Sequence, residues 1–269
     1  CRGRILSLER PIVMGILNLT PDSFYEGSRV REDEVLNKAS RMLEEGATIL
    51  DVGGYSTRPN ASEVSLEEEL QRVIPAIEQI HTHFPEAIIS VDTFRAKVAE
   101  QAVQAGASIV NDISGGQLDS LMIETVGKLN VPYVLMHSRG TPQTMMHLNQ
   151  YDNILNDILN YFLEKIEQLR QHRVTDIILD LGFGFAKNIE QNFYLLKHQA
   201  KFSIVGLPIL TGISRKSMIY KTLGISPEEA LHGTSVLHLV ALQQGANILR
   251  VHDVKEAVQV IRLWEKLLH

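Results

Sequence analysis

Along the chain, short runs of β-branched and aliphatic residues alternate with longer stretches whose apolar positions recur at helical spacing. This is the pattern of repeated β/α units around a parallel sheet. Eight runs read as strands: Ile12 to Asn18, Thr48 to Val52, Ile88 to Asp92, Ser108 to Asp112, Tyr133 to His137, Ile177 to Leu181, Pro208 to Ile213 and Asn247 to His252. An amphipathic segment follows each. Glu32 to Glu45 stops at Gly46 and Val98 to Ala105 stops at Gly106, as helices closed by a C-terminal glycine do. No repeat, charge block or long polar linker divides the chain. Eight units therefore favour a single α/β domain over residues 1–269, a closed (β/α)8 TIM barrel, over two doubly wound domains. Arg4 to Glu9 is compatible with a short extra strand capping the barrel bottom, which the sequence does not settle.

Composition narrows the function classes. With 26 Lys+Arg against 32 Asp+Glu the net charge is −6, which argues against nucleic acid as a partner. A chain that is 44% hydrophobic and 22% charged can bury a large core. No stretch approaches the ~18 apolar residues of a membrane span, and Arg2 to Pro11 lacks the apolar run of a signal peptide. The lone Cys1 allows no internal disulfide, so a reducing cytoplasm is the expected compartment and no membrane partner is expected.

Candidate chemistry lies where the strands end. Asn18, Asp51, Asp92, Asn111 with Asp112, His137, Asp180, and Arg250 with His252 all fall at or beside C-terminal strand ends. In a barrel these ends converge on one face, so residues far apart in sequence would share a site. Capping is the plainer reading of each Asp or Asn, and Asp92-Thr93 could cap a helix from Phe94. Capping does not account for Arg58, Lys216, Arg250 and His252, whose charges on one face of an acidic protein point to an anionic group such as phosphate. Asp92, Asn111 and Asp180 suit the N–H edge of a nitrogen-rich heterocycle. Gly53-Gly54, Gly115-Gly116 and Gly182-Phe-Gly184 would allow tight turns or close ligand approach.

Familiar motifs fail on inspection. Gly212-Ile-Ser-Arg-Lys216-Ser217 has Arg215 where a phosphate-binding loop needs glycine before the lysine. Gly182-Phe-Gly184-Phe-Ala-Lys187 lacks the third glycine of a dinucleotide fingerprint. His81 and His83, two apart near a helix end, diverge and do not make a zinc pair.

The strand ends read Met14-Gly-Ile-Leu-Asn18-Leu-Thr-Pro-Asp-Ser-Phe24, Asp51-Val-Gly-Gly-Tyr-Ser-Thr57-Arg58-Pro59, Ser90-Val-Asp92-Thr93, Val110-Asn111-Asp112-Ile-Ser and Met136-His137. Asp180-Leu-Gly-Phe-Gly-Phe185-Ala-Lys187, Gly212-Ile-Ser-Arg-Lys216-Ser217 and Arg250-Val-His252-Asp253 follow. Taken together and in this order, these segments resemble those of the dihydropteroate synthases, the pterin-binding barrel enzymes of folate biosynthesis. The resemblance implies a transferase that joins 6-hydroxymethyl-7,8-dihydropterin diphosphate to p-aminobenzoate, releasing diphosphate. It assigns the pterin to Asp92, Asn111, Asp180 and Lys216, with Asp180 facing the 2-amino and N3–H donors. Ser217 borders the aminobenzoate site with Lys216. Arg250 lies against the pterin and reaches the diphosphate, while Asn18, Thr57, Arg58 and His252 complete the anion site. Mg²⁺ is the implied cofactor, with Asn18 as its protein ligand. Phe185, Met136 and Pro59 are implied apolar contacts, and sulfonamides are implied inhibitors. Asp92, Arg250, His252 and Lys216 are the residues implied in catalysis; His137 is read as structural. Leu181, Ala186 and Asn60 depart from the family pattern without removing a charged group.

The residues alone leave rivals standing: a methyltetrahydrofolate-dependent methyltransferase, a Schiff-base aldolase using Lys216, or a non-catalytic pterin-binding homologue. The loops Thr20 to Val30 and Tyr55 to Ser65 read as mobile lids, so p-aminobenzoate is expected to bind tightly only after pterin and diphosphate. The segments Leu231 to Leu242 and Val254 to Leu268 are apolar around more of the helix than one stripe requires. Val260 and Leu263 are expected to face away from the barrel, and the two helices to form a homodimer.

Overall fold

The computed structural model describes residues 1, 3–19, 28–55, 64–141 and 143–268, with side chains undescribed for 28–32 and Met146. Its elements alternate as the hydrophobic pattern requires. They are β1 (Ile12–Asn18), α1 (Ser28–Glu44), β2 (Ile49–Gly53), α2 (Leu66–His83), β3 (Ile88–Asp92), α3 (Ala96–Ala105), β4 (Ile109–Asp112) and α4 (Met122–Leu129). β5 (Tyr133–Met136), α5 (Ile154–Gln171), β6 (Ile177–Asp180), α6 (Ile189–Lys197), β7 (Ile209–Thr211), α7 (Ser217–Leu223), α8 (Leu231–Gln243), β8 (Ile248–Val251) and α9 (Val254–Leu267) follow. Each strand pairs in parallel with the next, and β8 returns to β1 to close the barrel.

Strand alternation divides the core in two. Met14, Ile49, Ile109, Val134, Ile178, Leu210 and Ile248 fill the barrel interior. Their neighbours Leu50, Val52, Ile89, Val91, Val110, Leu135, Leu179 and Leu249 belong to the core shared with the helices. The interior plug seals the lower barrel, so the polar residues beyond it sit on a rigid apolar floor.

The helices start and stop for local reasons. Ser65 caps α2 by accepting the Glu68 N–H at 3.1 Å, and Asn188 with Gln191 forms a reciprocal capping box on α6. α3 ends at Gly106 with φ of 135°, where a Cβ would stand 2.6 Å from His81 Cγ, so only glycine fits. The helix after β3 begins at Ala96, not Phe94. Its first N–H is taken by Asp119 at 2.7 Å, so Asp92 is released from a capping role.

One open reading is settled and one expectation is corrected. Arg4 to Glu9 forms no strand, because a closed barrel offers no edge to pair with. The segment still covers the bottom: Leu6 and Leu8 pack on the interior plug, and Arg4 reaches Glu86 at 2.5 Å. Val260 is half-buried against the core rather than turned away from it, whereas Leu263 is exposed as expected. No helix among the described residues is long and apolar enough to cross a membrane.

Candidate active site

Register places the first group of site residues. Asn18 pairs with Gly53, Gly53 with Asp92, and Asp92 with Asn111, so four strand ends stand side by side at one height. Gly53 leaves a gap in this row. A Cβ there would lie 3.3 Å from Asp92 Cβ and 3.6 Å from Asn18 Oδ1. Asn18 is exposed at the rim, while Asn111 is buried.

Beneath the row lies a buried ionic cluster. The Oδ2 of Asp51 accepts from Arg250 Nε at 2.6 Å and from Asn111 Nδ2 at 3.0 Å, and Arg250 Nη2 donates to Asp92 Oδ2 at 2.5 Å. Burial pushes the Asp92 carboxyl up to about 7 even though Arg250 pulls the other way. Burial likewise works against the Arg250 charge, but Asp51 and Asp92 outweigh it and hold the guanidinium firmly protonated. One N–H of its Nδ2 goes to Asp51, which fixes the amide and leaves the carbonyl oxygen of Asn111 as an acceptor for a ligand.

A second group gathers around Lys216. Its ammonium donates to the Phe183 carbonyl and lies 4.9 Å from the Phe185 ring centre. Burial lowers Lys216 to about 8, opposed by Asp180. Asp180 accepts the Gly182 N–H at 2.8 Å and is itself raised by burial, with Lys216 opposing. Met136 is the register partner of Asp180 and is buried. The two groups meet at Gly212, where a Cβ would be 3.9 Å from both Arg250 Cβ and Lys216 Nζ.

His252 and Ser217 flank this second group. Ser214 Oγ accepts the His252 N–H at 3.2 Å and lies 3.0 Å from His252 Nδ1. Arg215, at φ 52°, grips both Asp253 oxygens at 2.8 Å. That pair ties the segment carrying Lys216 and Ser217 to the one carrying His252. Thr57, Arg58 and Pro59, with most of both expected lids, lie outside the described residues.

Not every polar strand end joins the site. Asp112 turns the other way, accepting from Ser114 N and Oγ, Gly116 N and Tyr133 Oη, and is a structural anchor. His137 is buried against Lys187 at 3.0 Å. Conversely, Ser214, Arg215, Asp253 and Lys187 hold the site in shape although the sequence assigned them no role, and so does Asp51, which the sequence marked only as one of the polar strand ends. Asp51 had a visible signal, since it points inward in step with Asp92. Its partner Arg250 is 199 residues away, and only barrel closure brings them together.

The arrangement offers acceptors to an N–H-rich planar ring beside cations able to take an anion. The family described as "Pterin binding enzyme" has a sequence model that matches residues 14–252. The chain belongs to this family of pterin-binding barrels. Over 99% of its length it is 44% identical to dihydropteroate synthase of Escherichia coli (strain K12), covering 95% of that protein. A crystal structure of the Yersinia pestis dihydropteroate synthase with a sulfonamide drug complex superposes with a TM-score of 0.93 at 42% identity, over 99% of this chain and 98% of that one. The Xanthomonas albilineans enzyme with 4-aminobenzoic acid gives 0.92 at 39% identity, over 100% and 97%. Within the family, then, the chain is one of the dihydropteroate synthases, transferases of folate biosynthesis. The methyltransferase, aldolase and non-catalytic readings fall away.

Proposed function

We propose that the site joins 6-hydroxymethyl-7,8-dihydropterin diphosphate to p-aminobenzoate, with the residues in the following roles. The observation that carries this reading is the buried cluster in which Arg250 spans Asp51 and Asp92 beside Asn111. Asp180 and the free oxygen of Asn111 accept from the ring N–H groups, and Lys216 donates to the ring oxygen. Arg250 lies against the pterin and extends to the diphosphate, which Asn18, Thr57, Arg58 and His252 also contact. Met136, Phe185 and Pro59 supply apolar walls, and Ser217 with Lys216 borders the aminobenzoate.

An aromatic amine is a weak nucleophile, so the leaving group departs first. The bond from the methylene carbon to the diphosphate oxygen breaks, and the electron pair leaves with the diphosphate. The dihydropterin spreads the resulting positive charge, which the Asp92 carboxylate stabilises. The amine nitrogen then bonds to the methylene and loses its extra proton to water. Arg250 and His252 face the departing anion.

A Mg²⁺ ion fits this donor set as a partner of the substrate. Asn18 presents a neutral oxygen ligand at the rim, and the described residues hold no cluster of three or more acidic, His or Cys side chains suited to a metal. Bound with Asn18 and diphosphate oxygens, it would offset the leaving group's charge. Sulfonamides should compete with p-aminobenzoate, the compartment is the cytoplasm, and the working unit is a homodimer built on α8 and α9.

Diphosphate release tests the reaction: it should require the dihydropterin diphosphate, p-aminobenzoate and Mg²⁺. Asp180→Ala should weaken pterin binding by about ten- to a hundredfold, the loss of a charge-assisted hydrogen-bonded pair at roughly 1.5 to 3 kcal/mol. Unchanged pterin affinity by calorimetry would remove Asp180 from the pocket.

A further inference from the structure

Lys187 is a buried ammonium that the mechanism leaves idle. It is 3% exposed, yet its Nζ has three acceptors at 3.0 Å: the carbonyls of Gly182 and Phe185 and the Nδ1 of His137. Burial pulls Lys187 down to about 7, opposed by Asp180, and in the protonated form its three N–H donors meet three acceptors, so every proton is used. Filling a cavity would call for methionine or leucine, and burying a charge is expensive unless its partners require it.

What the partners gain is the shape of one turn. Gly182, Gly184 and Ala186 adopt φ of 68°, 80° and 49°, so the turn is neither strand nor helix and its carbonyls point to two sides. On one side Gly182 and Phe185 face Lys187; on the other Phe183 faces Lys216. At Gly182 a Cβ would stand 1.9 Å from the His137 carbonyl oxygen, so the backbone is pressed against β5. The outer end of the turn is held by Asn192, which accepts the Gly184 N–H at 2.7 Å, and by Tyr151, which donates to the Ala186 carbonyl at 2.9 Å. The turn thus lies between two lysines, one in the site and one beneath it.

We propose that Lys187 is a positioning residue that holds the Gly182–Phe185 turn from below and thereby sets the placement of Phe185 and Lys216 for the aromatic amine. The proposal rests on the reading of Phe185 and Lys216 as borders of the p-aminobenzoate site. Neutral His137, held far below its ordinary value by burial and by the nearby Lys187 and Arg139 charges, is the acceptor that completes the ammonium's coordination.

Steady-state kinetics at saturating dihydropterin diphosphate test it. Lys187→Met keeps the volume and removes the donors, and should raise KM for p-aminobenzoate about tenfold while kcat changes less than about threefold. Lys187→Arg should recover part of the loss. Phe185→Leu separates the two layers of the argument. If it raises KM and Lys187→Met does not, the positioning role is wrong and the site reading stands. If Phe185→Leu leaves KM unchanged, the site reading fails and the proposal with it. A fall in melting temperature and kcat without a KM effect makes Lys187 merely structural. Should Lys187→Met not fold, His137→Phe removes one acceptor and must raise KM in the same direction; an unchanged KM overturns the proposal.

Discussion

Asp92 shows how burial and pairing compete at a single residue. Arg250 lies 2.5 Å away, yet desolvation wins and the carboxyl is pushed up from 3.8 to about 7. A carboxyl that binds its proton more tightly when folded contributes stability below pH ~4, and that contribution is lost as pH rises toward 7. Asparagine resembles the protonated acid and does not titrate. Asp92→Asn should therefore melt close to the parent at acid pH and above it by pH 8, each kcal/mol being worth about 2–4 °C for a chain of this size. Its kcat should fall about a hundredfold, because the charge that stabilises the pterin cation is gone. Scanning calorimetry of the ligand-free proteins at pH 5 and pH 8 checks the first claim; a gap that does not widen with pH would contradict it. Asp180 and Asp112, also raised by burial, add to the same trend in the parent.

At the scale of elements, what the sequence showed was periodicity, and what it hid was register. The strands were legible because apolar runs between helices have few other uses, and their ends fell within two residues of the observed ones. The site candidates were legible because polar side chains at so many strand ends outrun the needs of capping. Which neighbours touch was not legible: the row from Asn18 to Asn111 depends on barrel shear, and the Asp51–Arg250 pair on closure between β2 and β8 across β1. The Arg215–Asp253 clamp is another product of closure. Arg215 stood out only as the residue that spoiled a phosphate-loop motif, yet its bidentate pair and its bond to the Pro227 carbonyl at 2.9 Å lock together the segments after β7 and β8. Arg215→Ala should cost about 1–3 kcal/mol of stability for the lost charged hydrogen bonds. It should also weaken inhibition by inorganic diphosphate about tenfold, since Lys216 and His252 are the adjacent residues. Product-inhibition kinetics measure the second effect, and a stability loss with unchanged inhibition would confine the clamp to folding.

For the whole molecule, the barrel leaves an asymmetry around its outer wall. α8 turns Thr234, His238, Ala241 and Leu242 inward, a small and partly polar face, while Leu237 and Val240 are only half-buried and Val236 is 63% exposed. On neighbouring α9, Val254, Ala257 and Ile261 face in, and Leu263 is 69% exposed. Val236 on α8 and Leu263 on α9 thus leave large apolar side chains in water, which wastes hydrophobic burial in a monomer. Exposed apolar surface on two adjacent helices marks an interface, and one patch meeting itself needs a two-fold axis. Val236→Glu with Leu263→Glu places like charges on both sides of such an axis. The double variant should elute and scatter light as a 30.2 kDa monomer at micromolar concentration, where the parent is expected to show twice that mass. Because all the described site residues come from one barrel, the monomer should keep most of its kcat and lose melting temperature, which then depends less on protein concentration than the parent's does. A parent that is itself monomeric at that concentration would defeat the dimer. A monomeric variant without activity would mean that the partner subunit supports the site across the interface.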